Sequence, residues 1–194
     1  MKKLSIICLC ASFLLAQNVF ADSNNISVGI NPFGILKVSH QLDHETKLKL
    51  SYKSTFGFNA SYERQFDGVF IGGEVDYMRA VFDKLSNGVT SGAFEFKDVN
   101  DVSVYFIAGS TLGYKNRLQA PISFGFGYEN MSSSPQNKGY WSVQGKVRCR
   151  YFVSNNIAIF GGTRVRWGWS SNDEDIPSDE VFHWDLEAGL VYAF

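Results

Sequence analysis

Apolar and polar residues alternate with a period of two along nearly the whole chain after residue 25. The last strand states the pattern most clearly. In FHWDLEAGLVYAF, residues 182–194, one phase reads Phe182, Trp184, Leu186, Ala188, Leu190, Tyr192, Phe194, and the other carries His183, Asp185 and Glu187. Seven earlier stretches repeat it. Their apolar phases begin Ile26-Val28-Ile30, Leu48-Leu50-Tyr52, Val69-Ile71, Val102-Val104, Ala120-Ile122, Trp141-Val143 and Ile157-Ile159. Such alternation predicts half-buried β-strands, and no segment carries a helical period. In the first stretch the apolar phase is expected to run on through Pro32, Leu36 and Val38, and in the second through Phe56, Phe58, Ala60 and Tyr62.

The connections also alternate. Phe66-Asp67-Gly68, Lys115-Asn116-Arg117 and Ser154-Asn155-Asn156 read as tight turns, whereas 41–46, 84–100, 131–138 and 171–179 are the other connections, mostly longer. Eight strands with short turns at one end and longer loops at the other predict an all-β, eight-stranded antiparallel up-and-down transmembrane β-barrel. A soluble barrel of lipocalin type would show the same periodicity with its greasy face inward. Aromatic residues near the strand ends, such as Tyr128, Trp141, Tyr151, Trp167, Trp169, Tyr192 and Phe194, favour the membrane form, where they make girdles at both interfaces.

The N-terminus agrees. Met1-Lys2-Lys3, an apolar run from Leu4 to Leu15 and Val19-Phe20-Ala21 form a secretory leader over residues 1–21, leaving a barrel domain over 22–194. The run is too short to span about 30 Å of hydrocarbon as a helix. Removing Lys2 and Lys3 leaves acids in slight excess over bases, which offers nothing to nucleic acid. It also leaves Cys149 as the single cysteine, so no intrachain disulfide can form.

The signal, the eight strands and the terminal Leu190-Val191-Tyr192-Ala193-Phe194 resemble the small bacterial outer-membrane barrels of the OmpX, OmpA-transmembrane-domain and opacity-protein type. The resemblance implies residence in the outer membrane, with lipid bilayer and lipopolysaccharide as surroundings. It also implies that Phe194, Tyr192 and Leu190 form the signal read by the outer-membrane assembly machinery.

The phase expected to face the lumen is rich in charge. Acids are Glu63, Glu74, Asp76, Glu129, Asp185 and Glu187; bases are Lys37, Lys146, Arg148, Arg150, Arg164 and Arg166, with His183. Buried charges must be paired, so these predict an ion-pair network between neighbouring strands, with Glu129 beside the basic sixth strand and Asp185 and Glu187 beside Arg164 and Arg166. An open pore is the alternative use of the same residues. Enzymatic use has two forms. His183 with Asp185, Glu187 and Ser142 or Ser170 could serve a lipid A-modifying enzyme, but lipid chemistry needs a nucleophile at the membrane and His183 points inward. His40, Asp43, His44 and Glu45 could hold a metal, but histidines four apart suit a helix rather than a strand reversal. No enzyme, cofactor or metal is therefore expected. Function falls to the loops, as structural support or adhesin-like contact with a host surface or matrix protein. Leu48, Leu50, Tyr52, Phe94 and Phe96 are expected to project above the membrane, where a strand edge could take an incoming strand.

Overall fold

A computed structural model describes residues 23–41, 47–85, 97–113, 116–133, 136–170 and 179–194. The leader expected over 1–21 lies outside these residues, as do Asp43, His44, Glu45, Phe94, Phe96 and most of the 84–100 and 171–179 connections. Eight strands run β1 Ser23–Gln41, β2 Lys47–Phe66, β3 Val69–Leu85, β4 Val99–Leu112, β5 Leu118–Ser133, β6 Gln136–Phe152, β7 Ile157–Trp169 and β8 Glu180–Ala193. Each pairs antiparallel with its neighbours, and β8 pairs with β1 to close the barrel. The expected connection at 131–138 is shorter than read, because β5 and β6 run on to Ser133 and Gln136.

The β2–β3 turn shows how local sequence sets the hairpin. Asp67 and Gly68 both take positive φ, 44° and 89°, the combination that a two-residue turn needs to match strand twist. This turn lies at the same end as the start of β1 and the end of β8, where Asn24 and Phe194 exchange backbone hydrogen bonds of 2.8 and 2.9 Å. The longer connections lie at the other end, which is the extracellular end in a barrel of this kind.

From β3 to β8 the outer face is the apolar phase. Val75, Val104, Phe106, Phe124, Phe126, Val143, Trp167, Leu186 and Tyr192 are all exposed. A continuous apolar exterior of this extent would be unfavourable in water and is the surface a bilayer solvates. Phe126 stacks on Trp141 at 5.5 Å between ring centroids, and Tyr192 on Phe194 at 5.9 Å.

The two longest strands depart from strict alternation. In β1 the register shifts between Ile30 and Phe33, and in β2 between Ser54 and Phe56, where Thr55 is the extra residue; opposite Ser51 and Tyr52 the extra residue is Asp83, on β3. A bulge inserts a residue and so flips the faces of everything beyond it. Below the shift Phe56 and Phe58 are each 50% exposed; above it Leu50 and Tyr52 are each 5% exposed. Leu48, Leu50 and Tyr52 therefore do not project outward as expected. They turn into the barrel, as Leu36 and Val38 do on β1. There they join Met78, Ala80, Val99, Met131, Tyr140 and Val181 in an apolar core. Tyr52 meets Phe82 edge-on at 5.6 Å. Lys37, expected in the lumen, lies on the outer face with Lys49 and Lys53. The barrel thus has two storeys. The lower one is greasy outside and polar inside. The upper one has the opposite sense on β1 and β2, like a water-soluble barrel.

Candidate functional site

The inward phase of the lower storey brings bases from β6 and β7 against acids from β2, β3, β4, β5 and β8. Lys146, Arg148, Arg150, Arg164, Arg166, Glu63, Glu74, Asp76, Glu129, His183, Asp185 and Glu187 are all buried. The pairs ascend the lumen as follows. Nearest the turns, Arg150 donates to Glu63 at 2.8 Å. Arg148 grips Glu187 with two nitrogens, at 2.5 and 2.7 Å, and stands 3.7 Å from Glu63 and 3.6 Å from Glu74. Its guanidinium also lies 4.3 Å above the Phe160 ring. Lys146 donates to the same oxygen of Glu74, Oε2.

Arg164 is the centre of the network. It donates to Glu74 at 3.2 Å, to Asp76 at 3.0 Å and to Asp185 at 2.8 Å. One guanidinium therefore answers three carboxylates from two strands. Asn59 donates to Asn31 at 2.7 Å, and Asn31 donates to Asp76 at 3.1 Å, which extends the network onto β1 and β2. Such two-point guanidinium–carboxylate contacts are the geometry in which a charged hydrogen bond is strongest.

Above this, Arg166 donates to Asp101 at 3.0 Å and to Ser103 at 2.8 Å, and lies 3.6 Å from Glu129. Arg166 also hydrogen-bonds Nδ1 of His183. A guanidinium only donates, so Nδ1 accepts and the ring proton belongs on Nε2, which faces Asp185 at 3.4 Å. Tyr105 donates to Glu129 and stands 2.5 Å from Ser142 Oγ. The apolar core of the upper storey lies above this point.

Every residue read from the sequence as part of the lumen set is inside the barrel, except Lys37. The pairing scheme differs from the neighbour-to-neighbour one. Arg164–Asp185 joins adjacent strands, but Arg164–Glu74 and Arg164–Asp76 join β7 to β3, straight across the barrel. Long arginines reach across because an eight-stranded interior is only about as wide as its side chains. Asp101, Ser103, Tyr105, Ser142, Asn31 and Asn59 also belong to the set. Their signal was phase alone: Asp101, Ser103 and Tyr105 alternate with the lipid-facing Val102, Val104 and Phe106.

No family model matches the chain, and no curated protein matches it. Solved structures do. Over 88% of this chain and 97% of theirs, Neisserial surface protein A (NspA) superposes with a TM-score of 0.56 at 15% identity. The outer membrane protein OprG from Pseudomonas aeruginosa gives 0.56 at 12% identity, over 92% and 98% of the two chains. The outer membrane protein AlkL, solved in lipid bilayers, gives 0.55 at 16% identity, over 92% and 93%. The chain has the fold of the small bacterial outer-membrane barrels. In that fold the apolar exterior is the bilayer surface. This barrel is filled by charge below and by an apolar core above. Leu190, Tyr192 and Phe194 lie on its outer face, each 52% exposed, on the strand that closes it.

Proposed function

We propose that this chain is a non-catalytic outer-membrane protein with a closed lumen, exported by its 1–21 leader, whose role is surface contact at the extracellular rim. The observation that carries the reading is the filled interior. A layer of mutually bonded charges is capped by the Leu36–Tyr52–Met78–Val181 core, so neither a conducting path nor a solvent-reachable nucleophile is supported. His183 is fully buried beside Arg166 and Asp185, and the Ser142 hydroxyl faces Tyr105. Neither meets lipid, where acyl-chain chemistry would happen. Leu190, Tyr192 and Phe194 serve in the same reading as the assembly signal.

The test has two parts. Purified barrel in a planar bilayer should show no stepwise conductance. Cells expressing the protein should adhere to host cells or matrix proteins more than cells whose 84–100 and 171–179 connections are replaced by short turns. Stable conductance steps in the wild type would overturn the closed lumen. Equal adhesion of both strains would overturn the contact role, leaving structural support of the envelope.

A further inference from the structure

The phase inversion leaves Lys37, Lys49 and Lys53 on the outer wall at the storey boundary, where the lipid-facing belt ends on β1 and β2. The register places them together. Lys37 opposes Ser51, with Lys53 and Lys49 opposing Ile35 and Ser39 on either side. On its other flank Lys37 opposes Phe182, and Phe182 opposes Trp167. A groove of about 840 Å³ follows this junction. One bank is basic, formed by β1 and β2. The other is apolar, formed by Phe182 and Trp167, and it is continuous with the lipid-facing belt. Asp83 and Glu180 also border the groove. Asp83 is engaged by Lys53 at 2.6 Å. Lys37 and Lys49 enter no ion pair among the described residues and are exposed.

We infer that this groove binds the phosphorylated headgroup of an outer-leaflet glycolipid. Its phosphate lies against Lys37 and Lys49, and its sugar and first acyl segment lie along Phe182 and Trp167. The inference rests on the outer-membrane reading above. Ammonium groups at a membrane surface are attracted to anionic headgroups, and aromatic rings favour the same depth. A free anion would use only the basic bank; the apolar bank and its continuity with the belt select a lipid. The basic and apolar banks both lie on the outer wall of the barrel.

The test uses the whole mature barrel in detergent, with native mass spectrometry reading retained lipid. The probes are diphosphoryl lipid A, the same glycolipid without phosphates, and inorganic pyrophosphate as competitor. Wild type should retain the phosphorylated lipid and not the dephosphorylated one. The K37Q/K49Q variant should lose affinity by about tenfold or more, and K37R/K49R should restore it. F182A should weaken binding, and R79Q, on the exposed Arg79–Asp98 pair outside the groove, should not. These positions are exposed, so heat-modifiable gel mobility should be unchanged. Wild-type affinity in K37Q/K49Q or in F182A would overturn the inference, as would an equal loss in R79Q. So would pyrophosphate binding as tightly as the lipid. A barrel that failed to enter bilayers at all would instead refute the outer-membrane reading.

Discussion

Replacing Arg164 with methionine tests whether the lumen network holds the barrel together. The side chain is fully buried and bonded to Glu74, Asp76 and Asp185. Methionine keeps much of its volume and removes only the charge and its donors. Glu74 keeps Lys146 and a distant Arg148, and Asp76 keeps Asn31, but Asp185 is left with the neutral His183 ring at 3.4 Å. Breaking a buried ion pair from one side costs about 3–5 kcal/mol, because the surviving charge stays desolvated. With a urea slope of about 2 kcal/mol/M, the unfolding midpoint should fall by about 1.5–2.5 M. Unfolding from lipid vesicles, followed by tryptophan fluorescence and by gel mobility, reads this directly. K53Q is the comparison. Lys53 is 63% exposed, so loss of its Asp83 pair should cost about 0–1 kcal/mol. A second variant, R164M/D76N/D185N, neutralises two of the stranded acids and should recover part of the loss. The reasoning fails if R164M shifts the midpoint no more than K53Q does, or if the triple variant is less stable than R164M.

Two further outcomes follow from the two-storey wall. Leu50→Ala should destabilise the barrel by about 2–5 kcal/mol in the same unfolding assay, since Leu50 sits in the upper core; a side chain projecting outward would cost almost nothing. Cys149 lies on the outer face of β6, so a water-soluble maleimide should leave it unlabelled in vesicles and label it fully after denaturation. A cysteine placed at Leu186 should behave the same way, and rapid aqueous labelling of either would reverse the assignment of faces.

Much of this was legible in the alternation. Strands β4 to β8 keep one phase from end to end, and β3 does so up to Asp83, so the lipid face and the lumen face could be separated by reading every second residue. The tight Asp67-Gly68 turn and the terminal aromatic strand fixed the ends. Strands β1 and β2 were misread above their bulges, because a period-two signal resumes on the opposite face after one extra residue. Lys37 held the clue. Continuing the phase put Lys37 into a low-dielectric lumen with no acid on the same stretch, a cost that turning the strand over removes. The cross-lumen pairs were missed for a different reason. Reading strands in chain order suggests only adjacent partners, whereas closing eight strands places β3 opposite β7.

Those cross-lumen pairs have a consequence for how the barrel chooses its own geometry. A strand that slips by one residue exchanges its two faces, and lipid rejects it at once. A slip by two residues restores the faces, so hydrophobic patterning cannot distinguish it from the native pairing. It does move every inward side chain by one rung, about 7 Å along the strand. A slip of β7 that carried Arg164 to the level of Arg166 would set Gly162 in its place and take the guanidinium away from Glu74, Asp76 and Asp185. Among closed barrels that satisfy the membrane equally, the charges single out one shear.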